Sequence, residues 1–313
     1  MTISKTPLPP PKIPFASWSA LLKELWRHGR SRGIQPAWLT EKYAFRAKEA
    51  CVEAFQREGT EPVVRPSFGL ACAQQTYYCL MEEHLEPMPD EIPMTFAIGH
   101  FLHELSYASI DAALPEGFEI EVEKEVDLTV LPWWPKDNPL FNMEGHVDLI
   151  IRVADRDLAS KYLAEEECDD TIVDFKTMGG YSYREHRKKT YLGNEPDGFG
   201  YLAQLAVYTS ALNMQEQGAI LAGINRDILM APLLPRLVSP TGLERETQRV
   251  KAAIEGAIRG IPAGPEFKER FYDQADFFCG TYDEEGKLTG NRKKGYCPYK
   301  LQCAKDRGVN YEV

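Results

Sequence analysis

The sequence lacks the features that mark membrane, secreted and repeat proteins. None of its apolar runs is long enough to span a bilayer without interruption. The opening segment, MTISKTPLPPPKIPF, is rich in proline and has no apolar centre of the kind found in signal peptides. No segment repeats, and hydrophobic residues at 43% with charged residues at 27% are ordinary for a globular chain. We therefore expect a cytoplasmic globular protein with no membrane partner.

A disulfide pattern and an excess of positive charge are also absent. The seven cysteines are odd in number and are spread over 313 residues without a secretory signal, so metal or cluster ligation explains them better than disulfide bonds do. The formal net charge of -11 disfavours a chain that coats nucleic acid non-specifically. Lysine and arginine are nevertheless concentrated in residues 183–191 and 291–300, which allows one local basic groove.

The residue pattern changes from helical to strand-like along the chain. Residues 1–15 have the composition of an extended, proline-stiffened arm, and four segments with helical periodicity follow it. From about residue 118, FEIEVEKEVDLTV, NMEGHVDLIIRVA and TIVDFKT alternate as strands do. A helix, a strand, a long helix and a cysteine-bearing tail complete the chain. This order predicts an α/β protein.

The strand segment TIVDFKT carries two charged residues on one face. Because side chains alternate along a strand, Asp174 and Lys176 point the same way as Ile172. A hairpin with the preceding strand would bring Asp148 beside Asp174, across a polar link that forms either an extended connection or an insertion. Two carboxylates and an ammonium group suit a hard cation such as Mg²⁺ or Mn²⁺. The alternative is a surface ion pair on a solvated strand.

Two helical segments carry polar residues at positions that share a face. Gly99 and His103 are four residues apart in FAIGHFLHELSY, and Gln204 and Tyr208 have the same spacing in YLAQLAVYTSAL. His103 offers an imidazole to the same metal, or it is a core or capping histidine. Gln204 and Tyr208 either need hydrogen-bond partners inside a buried helix or form a polar stripe on a half-exposed one.

The order of these motifs resembles the RecB-type branch of the PD-(D/E)XK nucleases, which includes CRISPR-associated exonucleases and related phage exonucleases. The motifs are Gly99-x-x-x-His103, Gly145-x-x-Asp148, Asp174-x-Lys176 and Gln204-x-x-x-Tyr208. The resemblance covers roughly residues 65–303. It implies a restriction-endonuclease-like core, in which helices flank a mixed sheet. We accordingly divide the chain into an N-terminal arm and helical region, 1–64, and a nuclease domain, 65–313.

The resemblance also implies roles for these residues in phosphodiester hydrolysis. His103, Asp148 and Asp174 would bind Mg²⁺ or Mn²⁺, as one ion or two, and Lys176 would be the catalytic lysine. Gln204 and Tyr208 would line the site or contact DNA. A basic segment after the catalytic strand would then bind the phosphate backbone, unless it is only a solvated charge run; its cations are Arg184, Arg187, Lys188 and Lys189.

The cysteines resemble the ligands of an iron–sulfur cluster in this branch. Cys297 and Cys303 have the spacing that ends the family motif C-x2-C-x5-C, but Lys294 stands where the first cysteine is expected. Cys279 is the substitute that the tail offers. The N-terminal ligand of the family matches Cys72.

A cluster would join the start of the nuclease domain to its tail. With Cys72 and the three tail cysteines as ligands, residues 277–305 would form a 4Fe–4S staple, and structural Zn²⁺ is the alternative. Cys79 is the reserve ligand. A third interpretation, buried free cysteines, fits Cys51 and Cys168 best.

These features predict a metal-dependent DNA exonuclease that acts on single strands or duplex ends. It would serve recombination, repair or phage DNA processing in a prokaryotic or phage-infected cell, together with recombination or replication proteins. A structure-specific endonuclease on the same scaffold is one alternative. A non-catalytic DNA-binding assembly subunit is another, although such a subunit would be expected to have lost at least one of the site residues.

Overall fold

A computed structural model describes most of the chain. The described residues are 7–31, 41–56, 63–70, 72–81, 91–188, 191–192, 200–228, 231–261, 281–282, 288–289, 299 and 302. The helices are α1 (Trp18–Ser31), α2 (Glu41–Gln56), α3 (Ala73–Leu80), α4 (Glu91–Ala113), α5 (Arg156–Ala159), α6 (Gly180–Lys188), α7 (Tyr201–Ala211) and α8 (Pro240–Ile258). The strands are β1 (Phe118–Asp127), β2 (Glu144–Val153), β3 (Thr171–Met178), β4 (Tyr191–Leu192), β5 (Ala219–Asn225), β6 (Leu234–Val238), β7 (Thr281–Tyr282) and β8 (Leu288–Thr289).

The main sheet is mixed and has the order β1-β2-β3-β5-β6-β4. Five of its strands have five residues or more, and β4 adds a two-residue edge. The pairs β1–β2, β2–β3 and β5–β6 are antiparallel, whereas β3–β5 and β4–β6 are parallel. Strands β7 and β8 form a separate antiparallel pair. The expectation of an α/β fold with helices around a mixed sheet is therefore confirmed.

Helices cover both faces of the sheet, which gives two apolar layers. One layer packs α1 and α4 against alternate strand residues such as Leu149, Val173 and Phe175. The other packs α3, α7 and α8 against residues such as Ile150 and Ile172. The neighbouring strand residues thus point to opposite layers, as the alternation in the sequence predicts. The N-terminal helices α1 and α2 both pack on α4, whereas the division into domains at residue 64 stays a prediction.

Most of the predicted elements are present, with different bounds. The helical pattern of the third segment covers residues 67–85, but α3 begins only at Ala73, with Cys72 as its N-cap. The segment after β3, which carries no element in the sequence interpretation, forms the helix α6. Strand β6 was also missed, since LPRLV has no simple alternation and contains a proline.

Candidate functional site

Strand β3 carries Asp174 and Lys176 into the interior. Asp174 is 2% exposed, and Lys176 Nζ lies 3.0 Å from both of its carboxylate oxygens. The lysine donates a hydrogen bond to Oδ1. The buried Oδ2 accepts no hydrogen bond in the described part of the chain, and the ion pair with the same ammonium group holds it. A pair this deeply buried is not the surface ion pair of the alternative interpretation.

The hairpin of β2 and β3 places Asp148 next to this pair. Leu149 pairs with Val173 in the antiparallel ladder, so the next step of the register sets Asp148 opposite Asp174. Asp148 Oδ2 accepts a hydrogen bond of 2.6 Å from the backbone N–H of Phe175, between the two charged residues. The predicted convergence of two carboxylates and one lysine is therefore a feature of the fold.

Helix α7 closes the site from one layer. Gln204 Oε1 accepts a hydrogen bond of 2.9 Å from Lys176 Nζ, and both Gln204 and Tyr208 are buried rather than part of a half-exposed stripe. Gly145 allows Tyr208 to approach, because a Cβ at this position would lie 2.6 Å from Tyr208 Cε1. The ring of Tyr201, one turn before Gln204, has its centroid 5.0 Å from Lys176 Nζ.

Helix α4 closes the site from the other layer. His103 Nδ1 lies 3.7 Å from Asp148 Oδ2, and the imidazole packs against the ring of Phe175. Gly99 lies close to β3, since a Cβ there would be 3.3 Å from Thr177 Oγ1. Burial, and then the charge of Lys176, lower the pKa of His103 to about 3. The imidazole is therefore neutral, which is the form that binds metal ions.

Glu123 of β1 belongs to the same cluster, although the sequence interpretation missed it. One ligand atom each from His103, Glu123 and Asp148 lie within 4.8 Å of one another. Nothing in the sequence distinguishes Glu123, because the strand FEIEVEKEVD repeats glutamate at every second position from 119 to 125. Its backbone φ of 50° is unusual for a residue with a side chain.

The carboxyl groups of the site are poorly solvated. Burial raises the pKa of Asp174 to about 7, against the opposing effect of Lys176. Burial also raises the pKa of Glu123 to about 7, and the charge of Asp148 adds to that rise. For Lys176, burial alone would lower the pKa, but Asp174 and Asp148 together raise it above its ordinary value. The lysine is thus a permanent cation.

The donor set fits a divalent metal ion. Carboxylate oxygens with one neutral imidazole are ligands that Mg²⁺ and especially Mn²⁺ accept. The residues whose ligand atoms lie close enough together are the predicted ligands His103 and Asp148, with Glu123. The third predicted ligand, Asp174, is not in this group and is ion-paired with Lys176 instead.

The predicted basic segment forms the exposed side of α6. Arg184, Arg187 and Lys188 are exposed on this helix, which begins directly after β3. Lys188 pairs with Glu185. Lys189 lies outside the described residues, and the role of the segment in DNA binding stays a prediction.

Only one end of the predicted cysteine staple is described. The Sγ of Cys72 accepts a hydrogen bond from Gln75 N–H at the start of α3, and Cys79 is buried further along the same helix. Cys279, Cys297 and Cys303 lie outside the described residues. The tail residue Tyr299 is described, however, and its hydroxyl donates to Cys79 Sγ at 3.3 Å. Tyr299 therefore contacts helix α3, whose N-cap is Cys72.

Comparisons with known proteins do not identify the chain. No family model matches it, and no curated protein matches it. A crystal structure of SSO0001 aligns with 13% identity and a TM-score of 0.35, over 69% of this chain and 85% of that one. A likeness of this size carries no argument about fold or function. Among the helices that are described, none has the length and apolar character needed to cross a membrane.

Proposed function

We propose that the protein is a metal-dependent DNA exonuclease of the RecB-like PD-(D/E)XK type. The observation that carries the proposal is the buried Asp174–Lys176 pair on β3, opposite Asp148 and bonded to Gln204. Burying this pair inside a sheet costs stability, because each buried charge loses its hydration. A catalytic role at a phosphate group would explain why the chain has the pair despite this cost.

The chain's residues divide the work of hydrolysis. His103, Asp148 and Asp174 would hold the cation. When bound, a divalent ion polarises the scissile phosphate and lowers the pKa of a coordinated water. Lys176, fixed between Asp174 and Gln204, orients the water or stabilises the negative charge that develops on the phosphate.

The surroundings of the site support a nucleic-acid substrate and a metal cluster bound by the tail cysteines. The exposed cations of α6 follow the catalytic strand directly, where a phosphate backbone would pass. The contact between Tyr299 and Cys79 supports a staple of Cys72 with the tail cysteines around a 4Fe–4S cluster, or around Zn²⁺. A role in recombination, repair or phage DNA processing, alongside recombination or replication proteins, completes the proposal.

One experiment separates this function from its two alternatives. Purified protein is incubated with an end-labelled linear single strand and with a closed circle of the same sequence, in Mg²⁺, in Mn²⁺ and in EDTA. An exonuclease degrades the linear strand alone and only with metal. Cutting of the circle would favour the structure-specific endonuclease. Binding of both substrates without cleavage in either metal would leave the non-catalytic DNA-binding subunit.

A further inference from the structure

Glu123 lies where the regular alternation of β1 breaks. Val122 packs against the layer of α1 and α4, whereas Val126 lies in the opposite layer. In a regular strand, residues four apart share a face. The side chains of β1 therefore change faces between Val122 and Val126. The left-handed φ of 50° at Glu123 is part of this change. The register of β1 with β2 places Glu123 opposite Asp148, since Val122 pairs with Leu149 and Lys124 with Val147.

Two helices hold the carboxylate of Glu123 by one oxygen. The Tyr107 hydroxyl of α4 donates to Oε1 at 2.8 Å. Arg46 Nη2 of α2 lies 3.9 Å from the same Oε1. Neither contact uses Oε2, so among the described residues the second oxygen is available to a ligand while the first keeps the side chain in place.

An ion pair with Arg46 does not explain the position of Glu123. The arginine already donates from Nε to Glu104 Oε1 at 3.0 Å, and Glu104 is the more deeply buried partner. The distance of 3.9 Å to Glu123 is much longer. Glu104 is therefore the main ion-pair partner of Arg46, and the longer contact with Arg46 only helps to orient Glu123.

Carboxyl groups outnumber cationic side chains around the site. Four carboxyl groups, those of Glu104, Glu123, Asp148 and Asp174, lie around two cationic side chains, Arg46 and Lys176. Buried charge of one sign is costly unless it is compensated. A divalent cation would offset the negative charge of those carboxyl groups that are ionised.

The spacing of the ligand atoms fits one ion. Ligand atoms lie about 2.0–2.1 Å from Mg²⁺ and about 2.3–2.6 Å from Ca²⁺, so two atoms on one ion are at most about 4.2 Å apart for Mg²⁺ and about 5 Å apart for Ca²⁺. The ligand atoms of His103, Glu123 and Asp148 all lie within 4.8 Å of one another, which meets the larger limit, and a small movement of the side chains would meet the smaller one.

We propose that Glu123 is a further side-chain ligand of the divalent cation held by His103 and Asp148, with Tyr107 and Arg46 as its positioning residues. The inference rests on the metal site of the proposed function and extends it to a residue outside the four motifs.

The test is Mn²⁺ binding to the full chain, measured by calorimetry and by the decrease of the free-Mn²⁺ electron paramagnetic resonance signal. Glu123→Gln keeps the size of the side chain and removes its charge, and we expect the dissociation constant to rise at least about tenfold. Glu125→Gln, an exposed glutamate on the same strand, is the matched control and should bind as the wild type does. Tyr107→Phe should weaken binding a few-fold, because it frees the carboxylate without removing it.

The outcomes separate this inference from the proposed function. If Asp148→Asn loses Mn²⁺ while Glu123→Gln binds it normally, Glu123 is not a ligand and the nuclease proposal stands. If Glu123→Gln loses affinity but wild-type protein cleaves no DNA, the ligand is established without the nuclease. Wild-type protein that binds no Mn²⁺ would overturn both. Circular dichroism of each variant, and the intermediate effect of Tyr107→Phe, distinguish removal of a ligand from unfolding.

Discussion

Strands β3 and β5 are parallel neighbours in the middle of one sheet, and they differ in what they bury. Every residue of β5, AILAGIN, is buried, and the first six have no polar side chain. The equivalent positions of β3 place Asp174 beside Leu221 and Lys176 beside Gly223. Strand β5 thus has the composition expected of a strand with helices on both faces. Strand β3 departs from that composition by two charged residues: Asp174, which lies opposite Asp148 in the register, and Lys176, which donates a hydrogen bond to Gln204.

The largest effect should come from removing the charged groups of β3. Asp174→Ala and Lys176→Ala, and likewise Asp148→Ala, should each lower the rate of DNA cleavage by at least about 100-fold, because either the ion or the charge that stabilises the phosphate is removed. Asp157→Ala, an exposed carboxylate on α5, should leave the rate unchanged. Wild-type rates in Asp174→Ala or Lys176→Ala would remove the site from β3.

Making β3 apolar and placing a carboxylate in β5 should separate the effect of buried charge on stability from its effect on activity. Asp174→Leu combined with Lys176→Met gives β3 an apolar interior like that of β5, so the free energy of unfolding should stay the same or rise by about 1–4 kcal/mol while cleavage disappears. Ile220→Asp in β5 should lower the free energy of unfolding by about 3 kcal/mol or more, because the new carboxylate is buried between the apolar ladder partners Val173 and Leu237. Urea denaturation measures both. A double variant that unfolds more easily than wild type would mean that the pair of β3 is structural.

The pH dependence of stability should distinguish the two strands in metal-free protein. The pKa of Asp174 is raised to about 7 in the folded state, whereas an unfolded aspartate titrates near about 4. The folded protein binds the proton of Asp174 more tightly than the unfolded protein does. The stability that this proton contributes is present below about pH 4 and is lost as the pH rises through about 7. This decrease in stability should be on the order of a few kcal/mol, smaller in Asp174→Asn, and smaller with Mn²⁺. Denaturation at several pH values that gave parallel curves for wild type and Asp174→Asn would contradict the raised pKa.

The smallest effect should come from the exposed cations that follow β3. Replacing Arg184, Arg187 and Lys188 by glutamine should weaken binding of single-stranded DNA. It should also reduce the slope of log affinity against log salt by about 0.7 for each phosphate that the protein no longer neutralises. Fluorescence anisotropy at several salt concentrations measures both quantities. Unchanged affinity and slope with slower cleavage would give these residues another role.

The sequence predicts the centre of the site better than its edge. Alternation alone places Asp174 and Lys176 on one face, and the hairpin that adds Asp148 follows from two adjacent strand patterns. Helical spacing pairs Gly99 with His103 and Gln204 with Tyr208, but it is the order of the four motifs that assigns Gln204 to the site. Glu123 has no such signal, because its position depends on a turn of the backbone within a strand whose glutamates look equivalent. The helix α6 was missed for a related reason. It buries only Tyr183 and His186, and two buried residues among many polar ones give no clear helical periodicity.

The central claim is that a divalent ion bound at β3 drives cleavage of DNA. It is tested most directly by titrating metal-free wild-type protein with Mn²⁺ while bound Mn²⁺ and the release of label from end-labelled single-stranded DNA are measured in the same samples. The account predicts that the cleavage rate is zero without Mn²⁺. It also predicts that the rate rises in proportion to the fraction of wild-type protein that has Mn²⁺ bound at the site missing from Asp174→Asn. Cleavage in the absence of the ion, or full occupancy of that site without any cleavage, would contradict it.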